Sequence, residues 1–152
     1  MTAIETDEFL PHSPATVWRA LTDSALLSEW LMLNDFKPVV GHRFTFTTDP
    51  VPAQGFTGLI DCEVLELDPP RALKISWASA HLDTTVEWRL EAEGNGTRLF
   101  LTHDGFDESD AAQAITLKTL SGGWRGHLLT RLKAVLDRQE TAVDTNPPQE
   151  GI

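Results

Sequence analysis

Apolar positions recur along this chain at a two-residue period over most of its length and at a helical period at its two ends. Ile4 to Leu10 reads as a first strand. Ser13 followed by Pro14 is a hydroxyl cap with proline at the first helical position. Val17, Trp18, Ala20 and Leu21 then share one face. Asp23 caps a second short helix carrying Leu26, Leu27 and Trp30.

Gly41 marks a turn, and Arg43-Phe44-Thr45-Phe46-Thr47 alternates strictly as a strand does. Asp49 to Gly55 is a loop that its prolines keep out of a ladder. The next strand, Thr57 to Leu67, is ended by Asp68-Pro69-Pro70. Its acids at Asp61, Glu63 and Glu66 break the two-residue period, which predicts a bulge. Ala72 to Ala78 puts Leu73, Ile75 and Trp77 on one face. Thr84 to Ala92 does the same with Val86, Trp88 and Leu90. After the hairpin signal Gly94-Asn95-Gly96, Thr97 to His103 aligns Leu99, Leu101 and His103. The last three strands form an antiparallel meander with one apolar face.

Asp104 to Asp110 is an acidic turn region, and Ala111 to Leu120 predicts a short helix interrupted by Gly122-Gly123. A long helix is expected from Trp124 to about Gln139, with Trp124, Leu128, Leu132, Val135 and Leu136 on one stripe and Leu129 widening it. Such a helix, following a run of strands, has to lie across the sheet to bury its stripe. The domain is expected over residues 1–140, and the proline-containing, apolar-poor stretch 141–152 reads as a disordered tail.

Composition narrows the function. A chain of 152 residues is long enough for one domain with a real core. Twenty-three acidic residues against twelve basic ones give a charge of -11, which repels phosphate backbones and anionic membranes and argues against nucleic acid as a partner. No stretch reaches a membrane-spanning length, and Met1 to Glu8 has no basic region followed by an apolar one. A cytoplasmic location is the expectation. Cys62 is the single cysteine, so no intrachain disulfide forms. Five Trp and seven Phe stand beside no Tyr, giving wide apolar surfaces without a phenolic acid. His12, His42, His81 and His127 are scattered, so neither a metal nor another cofactor is expected. Asn95-Gly96-Thr97 reads as part of a turn.

The segment Ser13-Pro14-Ala15-Thr16-Val17-Trp18-Arg19-Ala20-Leu21-Thr22-Asp23, continuing to Trp30, resembles the opening of the family named after the activator of Hsp90 ATPase homologue 1. Further matching pieces are Phe44-Thr45-Phe46 after Gly41, Glu63 to Leu73 with Trp77, Gly96 to His103, and Gly123-Trp124. Together they span roughly residues 3 to 139. The family often has Gly-Gly, commonly preceded by arginine, where Lys37-Pro38-Val39-Val40-Gly41-His42 stands here. The resemblance implies an α+β, START-like helix-grip fold: a curved antiparallel sheet of about six strands, two short helices and a long C-terminal helix packed across it.

Such folds host lipid binders, cyclases and co-chaperones, so function has to be read from the site. Phe46, Trp77, Trp88, Leu90, Leu99, Leu101, His103, Trp124 and Leu128 are expected to share an interior surface. They form either plain core or the lining of a pocket for a small hydrophobic or aromatic molecule. His103 is the sharpest polar candidate, as an imidazole that either orients a ligand or is held by neighbouring backbone. The leading expectation is a non-catalytic ligand-binding domain. A chaperone partner and a cyclase- or dehydratase-like activity are the alternatives, and no oligomeric state follows from the pattern.

Overall fold

The computed structural model describes residues 3–54, 56–79 and 82–145. Its first strand, β1 (Ala3–Leu10), leads into two short helices, α1 (Pro14–Thr22) and α2 (Ser24–Trp30). Both start where the caps predict. The Ser13 hydroxyl accepts from Thr16 N, and the Asp23 carboxylate accepts from Ala25 N and Leu26 N. These bonds satisfy amides that the first helical turn leaves without partners. Six further strands follow: β2 (Leu33–Asn34), β3 (Arg43–Thr47), β4 (Leu59–Asp68), β5 (Ala72–Ser79), β6 (Leu82–Glu93) and β7 (Gly96–Asp104). Two helices, α3 (Ala111–Arg125) and α4 (His127–Thr145), complete the described chain.

All seven strands join one antiparallel sheet in the order β1-β7-β6-β5-β4-β3-β2, curled into a half-barrel. The count exceeds the expected six because two residues, Leu33 and Asn34, pair with Thr47 and Phe46 at the edge. The bulge expected in β4 lies between Val64 and Glu66, where the register with β5 shifts. An extra residue on one strand bends it, which helps the sheet curl. Gly94, at φ +56, and Asn95 form the β6–β7 turn, a left-handed conformation that glycine adopts without steric cost.

The concave face carries Phe44, Phe46, Ile60, Val64, Leu73, Ile75, Trp77, Val86, Trp88, Leu90, Leu99 and Leu101, all buried. The helices cover this face. Helix α4 packs against α1, α2 and α3 and buries Leu132, Val135 and Leu136. Polar ties surround that stripe. Lys133 reaches Glu8 at 2.9 Å, Arg138 reaches Glu29 at 2.6 Å, and the buried His12 ring meets Asp137 at 3.0 Å.

One helical boundary differs from the expectation. Gly122-Gly123 does not interrupt α3, which runs through both glycines to Arg125, and the break falls at Gly126 (φ -117, ψ -91). Glycine costs about 1 kcal/mol against alanine inside a helix, which weakens α3 without ending it. Bonds Gly126 N to Gly122 O and Thr130 N to Gly126 O, both 3.0 Å, carry the ladder across the break. Trp124 therefore closes α3 rather than opening the long helix. Helix α4 also continues to Thr145, past the expected domain limit at 140, and residues 146–152 of the expected tail lie outside the described residues.

Candidate functional site

The aromatic side chains of the concave face meet beneath the last turn of α3. Trp124 is the one fully buried residue of that helix. Its ring centroid lies 5.7 Å from that of Trp77, 6.0 Å from Trp88 and 6.2 Å from His103, all edge-to-face. Edge-to-face packing sets the positive ring edge against a negative ring face. Phe46 extends the cluster from Trp77 (5.5 Å), and Phe106 covers His103 from the β7–α3 connection (4.7 Å).

A chain of hydrogen bonds threads this cluster. The Trp124 indole N–H donates to His103 Nδ1 at 3.1 Å. His103 Nε2 lies 2.9 Å from Thr84 Oγ1, whose hydroxyl donates to the Trp77 carbonyl at 2.7 Å. The directions are forced. The indole can only donate, so Nδ1 accepts; the Thr84 proton is spent on Trp77 O, so Nε2 carries the imidazole proton. His103 is thus a neutral Nε2–H tautomer with both nitrogens engaged. It has no exposed surface, and burial pushes its pKa down to about 3. While Trp124 and Thr84 hold it, the ring offers neither a proton nor an open lone pair for acid–base chemistry.

Beside the cluster, between α3–α4 and strands β1, β7 and β6, lies a cleft of about 30 Å³. Trp88, Leu99, Leu101, Trp124, Leu128, Leu129 and Leu132 line it, together with Trp30, and Thr6, Asp7 and Glu8 of β1 also border it. That volume holds about one water, against the roughly 300–1,000 Å³ of ordinary ligand pockets. The helix above is lightly attached. Leu117 and Leu120 are only partly buried, and Ile115 is 60% exposed. Arg125 adds a bond to the Glu5 carbonyl at 3.1 Å.

Of the residues singled out from the sequence, Trp88, Leu101, Trp124 and Leu128 line the cleft, as does Leu99. Phe46, Trp77, Leu90 and His103 are buried next to it or beneath it without lining it. Thr84 was not foreseen. A threonine in a strand carries no mark of its role, although its even spacing with Val86, Trp88 and Leu90 put it on the same face. Trp30 and Leu132 were expected as helix-face residues, not as cleft walls.

A second hollow, on the outer surface of β3–β5, is broad and polar, at about 520 Å³, and includes Asp35, Arg43, Asp61 and Glu63. Cys62 borders it, but burial, then Asp61 and Asp35, hold its thiol well above the usual range, so it is a poor nucleophile. Among the described residues no group of three or more His, Cys, Asp or Glu is placed to hold a metal ion. None of the described helices is long and apolar enough to cross a membrane.

Similar structures share this architecture across nearly the whole chain. Protein MLL2253 from Mesorhizobium loti is 35% identical, with a TM-score of 0.79 over 90% of this chain and 97% of that one. CalU16 from Micromonospora echinospora is 26% identical, with a TM-score of 0.70 over 93% and 80%. The Aha1 dimer from Colwellia psychrerythraea, 23% identical with a TM-score of 0.68 over 89% and 96%, is a likeness of fold. No curated protein gives a significant match. The family model for activator of Hsp90 ATPase homologue 1-like proteins matches residues 11–137, from the end of β1 through the buried stripe of α4, and the chain belongs to that family.

Proposed function

We propose that this domain binds a small hydrophobic or aromatic molecule between the concave sheet and the α3–α4 pair. The observation that carries this reading is the apolar cleft walled by Trp88, Leu99, Leu101, Trp124 and Leu128 under a helix with a single fully buried side chain. The closed cleft is an order of magnitude too small for such a ligand, so binding requires α3 to withdraw. Withdrawal gives up the burial of Trp124 and its bond to His103, which the ligand has to replace. Helix α4, tied to α1, α2 and β1, stays in place.

The reading is tested by thermal shift and tryptophan fluorescence with a panel of fatty acids, sterols and flat polycyclic aromatics. A ligand at a hundredfold excess over its Kd adds about 2.7 kcal/mol, or about 5 to 10 °C for a chain of this size. If no member moves the midpoint or quenches the indoles at millimolar concentration, the reading is wrong.

Family membership supports a second reading, association with an Hsp90-type chaperone. An ATPase assay of such a chaperone with excess of this protein tests it, and an unchanged rate would remove it.

A further inference from the structure

The cleft reading leaves open what kind of molecule is recognised, and the surroundings of Trp124 bear on that. Trp124 differs from every other core residue in how it is held. It comes from a helix that buries nothing else fully, yet its indole sits among Trp77, Trp88 and His103 with its N–H bonded to Nδ1. Thr84, bonded to the Trp77 carbonyl, meets His103 Nε2 from the sheet side. With the indole as donor, His103 thus presents Nδ1 as an acceptor towards the helix layer. The α3 end bearing Trp124 is flanked by Gly122, Gly123 and Gly126, and a Cβ at either of the first two would meet open space. That end of the helix is held by the indole, by the bond from Arg125 to the Glu5 carbonyl and by the half-buried Leu120.

We infer that Trp124 is a built-in plug occupying the recognition slot of the domain, and that the ligand which replaces it is a planar bicyclic aromatic carrying one N–H or O–H donor on its edge. The inference rests on the ligand-binding reading above and deepens it. The donor satisfies His103 Nδ1, which a purely hydrocarbon ligand would leave buried without a partner. The rings take the place of the indole against Trp77 and Trp88. Any apolar extension runs into the adjoining cleft along Leu101, Leu128 and Leu132. Indolic and phenolic compounds fit this description; saturated fatty chains and unfunctionalised hydrocarbons do not.

The test uses the full chain with Trp124→Ala and two probes of one shape: indole, and benzothiophene, in which sulfur replaces the N–H. Calorimetric or NMR titration is expected to give indole at least about tenfold tighter binding than benzothiophene. The preference should vanish in Trp124→Ala/His103→Phe. In the unaltered protein, 2-naphthol should outcompete naphthalene by a similar factor. Should Trp124→Ala not fold alone, indole but not benzothiophene is expected to restore its cooperative unfolding transition. Equal affinities, or failure of both probes to bind or restore folding, overturns the plug assignment. The two readings fail separately. Apolar ligands that shift the unaltered protein without regard to a donor, with no indole preference in Trp124→Ala, sink the plug and leave the cleft reading standing. Selective uptake of indole by Trp124→Ala, with no ligand for the unaltered protein, keeps the slot chemistry and sinks the withdrawal of α3.

Discussion

Lowering the pH from 7 to 5 should erase most of what His103 contributes to stability. In the folded state the ring stays neutral down to about pH 3, because burial disfavours its charge. In the unfolded chain it takes a proton below about pH 6.5. Between those values the unfolded state binds more protons, so stability falls as pH falls, by about 1.4 kcal/mol per unit. Integrated from pH 7 to 5 the loss is about 2 kcal/mol. Replacing His103 by Phe keeps a ring of similar size but removes the acceptor of the buried Trp124 N–H, which costs about 1–3 kcal/mol at pH 7. Phenylalanine does not titrate, so the variant escapes the proton penalty. The wild type should therefore lead the variant by about 1–3 kcal/mol at pH 7 and by about nothing at pH 5. Urea denaturation of both proteins at pH 7, 6 and 5 measures the gap. Taking the difference cancels the carboxylates and the other histidines. A gap that stays constant within about 0.5 kcal/mol would show that His103 is not held neutral, and the tautomer argument would fail with it.

Three further outcomes check the packing. Gly122→Ala and Gly123→Ala each place a methyl in open space within a helix, and each should stabilise by up to about 1 kcal/mol; a lower thermal midpoint would mean that α3 is not helical there. Gly96→Ala drives a Cβ to 2.4 Å from the Leu10 carbonyl and 2.7 Å from the Phe9 ring. Calorimetry should show a loss of about 1–3 kcal/mol, since β1 has to move away from the hairpin. Leu136→Ala, at a fully buried position of α4, should cost about 2–5 kcal/mol in denaturant. Lys133→Ala on the same helix, removing a half-exposed pair with Glu8, should cost less than about 1 kcal/mol.

The sheet was readable because one face meets a core and the other meets water, so Leu73-Ile75-Trp77 and Leu99-Leu101-His103 alternate in plain view. The bulge showed as a broken period at Glu66. Strand β2 did not, because two residues cannot display a period and Leu33 is 66% exposed. The glycine pair misled for a definite reason. A glycine announces a break only by its propensity, and the hydrogen-bond ladder of α3, held from Asp110 at one end and by Trp124 packing at the other, outweighs that. Alternation identified the inward residues, including His103. It carried no information on whether the space between them is filled, which depends on how far each indole reaches across the layer. The partner of His103 was equally hidden, since Thr84 and Trp124 lie 19 and 21 residues away on different elements.

Among the described residues strand β1 pairs only with β7, Ala3 to Asp104 and Leu10 to Thr97. The strand that precedes the other six in the chain thus pairs with the last of them. During synthesis it waits for some ninety residues with its backbone groups unsatisfied and Ile4 and Leu10 uncovered. Bare strands of this kind are templates for pairing with other chains. Glu5, Asp7 and Glu8 sit in the middle of this one. In a parallel in-register pairing of two nascent copies each of these acids would lie opposite its own copy, and like charges directly opposite repel. The acidity of this segment thus opposes such self-pairing before β7 is made, and in the folded protein Arg98 and Lys133 pair with Asp7 and Glu8.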